Sequence, residues 1–125
     1  MNLSDRSKYG LVLLGSVSAE FLGHYLRENC PETFPLLSSS LPNFSDSLMS
    51  TSGCYFIADP KRNLEFYFYA TFGTSIYLAH EIFQRFGITE GTYSFEDVIA
   101  IGLGGLAGLV SGLAINYDKK NSLDE

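Results

Sequence analysis

Apolar residues fall in four blocks along this chain, and polar breaks separate them. The first, Tyr9 to Leu26 (YGLVLLGSVSAEFLGHYL), is about eighteen residues long, at the short end for a membrane span. A signal peptide is the competing reading, with Arg6 and Lys8 ahead of the run and Val17-Ser18-Ala19 as a cleavage site. The apolar character continues past Ala19 through Phe21, Leu22 and Tyr25, which favours an uncleaved first helix. The second block, Phe44 to Ala58, is diluted by Asp46, four serines, Thr51 and Gly53. A short span, a re-entrant segment and an interfacial helix all fit it. The third, Leu64 to Phe86, opens on Phe66, Tyr67, Phe68, Tyr69 and Phe72 in the manner of an interfacial aromatic belt. The fourth runs from Phe95 to about Tyr117. Residues 27–43, with Pro31, Pro35, Pro42 and a serine run, read as loop, as does Gly87 to Ser94.

The pattern predicts an all-α fold, an integral membrane bundle of four transmembrane helices over about 9–26, 44–58, 64–86 and 95–117, the second one short. The positive charges support that count. With the N-terminus inside, Arg6, Lys8, Lys61, Arg62, Lys119 and Lys120 are cytoplasmic, and only Arg27 and Arg85 lie outside. If the second block does not span, Lys61 and Arg62 move outside and the bias disappears. The expected location is therefore the cell (inner) membrane, multi-pass, with both termini cytoplasmic.

Composition narrows the classes further. At 125 residues the chain makes a single domain, here a single membrane domain over 1–125. It is 46% apolar, 18% charged and without Trp. The net charge of −6, with no basic stripe, excludes a nucleic-acid partner. Cys30 and Cys54 match no zinc spacing and make no disulfide framework, so free thiols are expected.

Polar residues near the ends of the apolar blocks carry the candidate chemistry. The helical rise of ~1.5 Å per residue places Glu20 and His24 roughly 18–24 Å from Lys8, and His80 and Glu81 roughly 27–29 Å from Arg62. Under the four-span topology Glu20, His24, Asp46, His80, Glu81, Gln84, Glu96 and Asp97 all gather toward the outer side. Glu20 and His24 share a helix face, as do His80 and Gln84, and Tyr77 joins the side of His80, Glu81 and Gln84. Carboxylates in hydrocarbon normally face a partner or a wet cavity, so a ligand-binding pocket is expected there. Internal Glu20–His24 and Glu81–Arg85 pairs, with Glu96 and Asp97 as first-turn charges of the fourth helix, are the structural alternative. No metal site is expected, because HExxH and ExxH pairs are absent and the adjacent His80 and Glu81 point about 100° apart. Gly104, Gly108 and Gly112 lie four apart and form a helix-packing face, a glycine zipper open to close backbone approach.

Glu81-Ile-Phe-Gln84, a loop, and then Asp97, Gly104 and Gly108 in the next helix together resemble the VanZ-like family of small bacterial membrane proteins, named for a glycopeptide (teicoplanin) resistance factor. The resemblance covers about residues 77–112. The chain departs from the family pattern at Ile101, where Asn is usual, near Glu90, where Arg is frequent, and at Ser47, which replaces the Lys of an Asp-Lys pair. It implies a four-helix envelope protein and carries over Glu81, Gln84, Asp97, Gly104 and Gly108.

The expectation is thus a non-enzymatic, VanZ-like membrane protein of the bacterial cell envelope. Its outer-facing pocket of Glu20, His24, Asp46, His80, Glu81, Gln84 and Asp97 would bind a membrane lipid or amphiphile, with no cofactor. The alternative is an accessory subunit whose glycine face packs on a partner membrane protein or on a second copy of the chain. A hydrolase using Glu81 or His80 as base has less support, since no nucleophile is paired with a base in the sequence.

Overall fold

A computed structural model describes residues 4–30, 32, 35–89 and 94–124. Among them are four helices and no strand: α1 (Asp5–Asn29), α2 (Pro35–Ala58), α3 (Asn63–Arg85) and α4 (Phe95–Asp124). Neighbours in sequence run antiparallel. Arg6 at the start of α1 donates to the Phe56 and Ile57 carbonyls at the end of α2, and Tyr55 Oη donates to the Phe66 carbonyl near the start of α3. The Asn116 side chain of α4 bonds that of Asn63, so α4 returns beside the start of α3. α2 is the central helix, packed on the other three.

α2 corrects the sequence reading. It begins at Pro35, whereas residues 27–43 read as loop up to Phe44. Pro35 opens the helix, in the first turn, where its missing N–H costs nothing. Pro42 lies inside the helix and leaves the Ser38 carbonyl without its usual donor. Arg27 supplies one: Nε reaches the Ser38 carbonyl at 3.3 Å, and Nη2 the Ser39 carbonyl at 3.1 Å. The ring also finds room, because a Cβ on Gly23 of α1 would stand only 2.9 Å from Pro42 Cδ. The proline is tolerated by tertiary contacts that no local pattern contains. Arg27→Ala is expected to cost about 1–3 kcal/mol by leaving a carbonyl unsatisfied. The loss should shrink in a Pro42→Ala background, where the helix regains its own N–H. Thermal unfolding of the double-mutant cycle in detergent measures this, and equal losses in both backgrounds would exclude the compensation.

The serines that dilute α2 are its packing surface. Ser38, Ser45, Ser47, Thr51 and Ser52 are buried, and their neighbour Tyr55 joins Tyr9 and Phe66 in an aromatic cluster. Most of these hydroxyls are satisfied by helix carbonyls, as in Ser45 Oγ to Leu41 O at 2.8 Å and Ser52 Oγ to Leu48 O at 2.7 Å. Ser47 instead crosses to the Ile101 carbonyl of α4 at 2.6 Å. Large apolar side chains lie outside: Leu11, Leu14, Phe21, Phe68, Phe72, Leu103, Leu106 and Val110 are all exposed. Among the described residues one helical stretch, Phe95–Asp118, is long and apolar enough by composition to cross a membrane. The others are diluted by charge in α1 and α3 and by hydroxyls in α2.

The glycine face of α4 meets α2. A Cβ on Gly104 would collide with the Phe44 carbonyl oxygen and the Ser47 hydroxyl. One on Gly108 would lie 2.7 Å from Thr51 Cγ2, and one on Gly112 2.5 Å from Tyr55 Cε2. The expected close approach is therefore made within the chain. This face, here against α2, is the one that the accessory-subunit alternative would offer to a partner.

The turns follow local chemistry. Glu65 accepts from the backbone amides of Lys61 at 2.7 Å and Arg62 at 3.1 Å, closing the start of α3. Gly87, at φ +71, ends α3: its amide bonds the Gln84 carbonyl, and the Ile88 amide bonds that of Phe83.

Candidate functional site

The alternation of helix directions brings the ends of α1 and α3 to the starts of α2 and α4. Between them lies a cavity of about 530 Å³. It is lined by Arg27, Asn43, Asp46, Ile76, Tyr77, His80, Glu81, Gln84, Asp97 and Ile101. Asp46, His80, Glu81, Gln84 and Asp97, from three helices, thus share one chamber. α3 supplies Tyr77, His80, Glu81 and Gln84 from adjoining turns, as the helical spacing requires.

Glu20 and His24 do not line the chamber. Glu20 stands behind Asp46, in hydrogen-bonding reach of its carboxyl group. Its Oε2 also accepts from Ser45 Oγ at 3.1 Å, and its Oε1 meets His24 Nε2 at 2.9 Å. The side chain of His24 is about half exposed on the flank of α1, so the Glu20–His24 pair forms as a local i,i+4 contact.

Among the described residues Glu81 is the most buried charged group, 5% exposed. The Ser94 backbone amide bonds its carboxylate, while Oε2 is buried with no hydrogen-bond partner. Asp97 bonds the side chain of Asn43 on α2. Glu96, one residue earlier, turns outward, is exposed, and accepts from the Ser94 hydroxyl at 2.7 Å. The two acidic residues of the first turn of α4 therefore separate, one to the chamber and one to the outside. His80 Nε2 and Gln84 Nε2 are 3.2 Å apart. Among the described residues no group of His, Cys, Asp and Glu is placed to hold a metal ion.

Arg27 and Asn43 are the polar lining residues that the sequence reading left out of the candidate site. Arg27 lies three residues beyond His24 and seven beyond Glu20, and Asn43 lies three before Asp46, so helical periodicity held the signal. Both fell in the segment read as loop. Ile101, at the departure from the VanZ-like pattern, is fully buried in the wall. The departure at Ser47 is its partner, through the hydroxyl-to-carbonyl bond described above. The position near Glu90 lies outside the described residues.

No protein-family model matches the chain, and neither a curated protein nor a solved structure does.

Proposed function

We propose that this chain is a four-span membrane protein of the bacterial cell envelope, VanZ-like in type, whose polar chamber binds the head group of a lipid or amphiphile. The carrying observation is the inverted distribution of side chains. Small hydroxyl residues and glycines fill much of the helix contacts, while most of the large apolar side chains, Phe66 and Ile101 apart, face outward. A bundle surrounded by water would gain by the opposite arrangement, since apolar burial drives its folding. Helices surrounded by lipid associate through small residues and interhelical hydrogen bonds, because the hydrocarbon solvates Leu and Phe well. In this reading the exposed apolar belt meets acyl chains, and the chamber at one end meets head groups. Arg6, Lys8, Lys61 and Arg62, at the opposite end, belong on the cytoplasmic side with both termini. The motif residues Glu81, Gln84 and Asp97 sharing one wall also support the VanZ-like reading.

Topology tests it. Single cysteines at Ser4, Asn63, Ile88 and Ser122, in a Cys30→Ser, Cys54→Ser background, are labelled from either side of the membrane with an impermeant maleimide. Labelling of Ile88→Cys alone from outside is expected. Outside labelling of Asn63→Cys would mean that α2 does not span, and the membrane arrangement would fall with it.

A further inference from the structure

We infer that the chamber selects a primary ammonium group, and that Glu81 Oε2 is the acceptor waiting for it. The inference rests on the head-group reading above and adds the chemical class. The wall carries three carboxyl groups, on Asp46, Glu81 and Asp97, against the single guanidinium of Arg27. That guanidinium is engaged by the Ser38 and Ser39 carbonyls, where it completes α2. An anionic head group would have to share Arg27 with those carbonyls and approach the carboxylates. A protonated amine meets the reverse situation.

Glu81 separates this from a general acidic character. The residue is nineteen-twentieths buried and lines the chamber; the Ser94 amide fixes its carboxylate on one side, and the enclosed Oε2 has no donor. A buried acceptor left open in this way is costly unless something donates to it. An ammonium has three N–H donors on one centre and can serve more than one acceptor of the wall at once. A quaternary ammonium has none and would leave Oε2 unsatisfied. Among the described residues no group of His, Cys, Asp and Glu is placed to hold a metal ion, so the ligand class considered is an organic cation.

The test is calorimetric titration of the purified full chain in maltoside micelles at neutral pH. The probes are dodecylammonium, dodecyltrimethylammonium, dodecyl phosphate and the short, soluble ethylammonium. Saturable binding of dodecylammonium is expected, weakened about tenfold or more by Glu81→Gln, with dodecyl phosphate and the trimethyl probe much weaker. Asp97→Asn provides a second variant should Glu81→Gln fail to fold, and a several-fold loss is expected there. Equal affinity for ethylammonium and dodecylammonium would uphold the ammonium site and assign it to a soluble amine. Weaker ethylammonium would assign it to an amphiphile. Tighter binding of dodecyl phosphate, insensitive to Glu81→Gln, would overturn the ammonium inference and leave the head-group chamber standing. No saturable binding of any probe would overturn both.

Discussion

Gly104→Ala is expected to destabilise the protein by about 1–3 kcal/mol, the usual cost of overpacking a tight contact. The added methyl would meet the Phe44 carbonyl and the Ser47 hydroxyl of α2, and a backbone carbonyl cannot rotate aside as a long side chain can. α4 would have to move outward, lengthening the 2.6 Å bond from Ser47 Oγ to the Ile101 carbonyl. Gly102→Ala is the internal control, since its Cβ would stand in open space. That variant should match the parent or gain up to ~1 kcal/mol from better helix propensity. Thermal unfolding of both variants in one detergent separates them, and equal midpoints would show that α2 and α4 do not approach so closely. Gly108→Leu should likewise unfold the bundle rather than disperse an assembly, because its neighbour is Thr51 of the same chain.

This contact shows where the sequence was legible and where it stopped. Glycines four residues apart identify a helix face that another backbone approaches, and the face exists. Which backbone approaches is a tertiary fact, and nothing in the spacing separates α2 from another protein. The start of α2 was hidden for a similar reason. Two prolines and a serine run carry the local signature of a loop, and they are helical because Arg27 and Gly23 on α1 accommodate them. The other three helices, bounded by strong breaks such as Gly87, start or end within a few residues of their apolar blocks at most ends. α4 continues to Asp124, beyond the apolar block that ends near Tyr117.

The chamber was legible to the extent that it depends on helix periodicity and alternating direction. Tyr77, His80, Glu81 and Gln84 follow from spacing on one helix, and antiparallel neighbours carry Asp46 and Asp97 to the same end. Glu20 and His24 followed the same logic to the correct end but stop short of the chamber, because Glu20 turns to Ser45 of α2 and His24 lies on the flank of α1. Periodicity gives the height of a residue along a bundle more readily than its facing. Lining also differs from burial: Glu81 is enclosed and His80, its neighbour in sequence, is exposed.

The same enclosure makes Glu81→Met expected to stabilise the protein while abolishing ammonium binding. A carboxylate that is 5% exposed, with one oxygen lacking any donor, carries a desolvation cost that its single amide bond does not offset. Met matches its length, adapts to an irregular wall and removes the unsatisfied oxygen. The variant gives up the bond from the Ser94 amide, worth about 1 kcal/mol, against a relief of about 1–3 kcal/mol for the orphaned acceptor. The net gain should be up to about 2 kcal/mol, seen as a higher unfolding temperature in detergent. Asp97→Asn should show no such gain, since Asp97 already bonds Asn43. Sites that retain a costly group commonly do so for function, and relief of that cost then trades activity for stability. A destabilised Glu81→Met protein would assign the carboxylate a structural role instead, with both oxygens held by the fold rather than one kept open for a ligand.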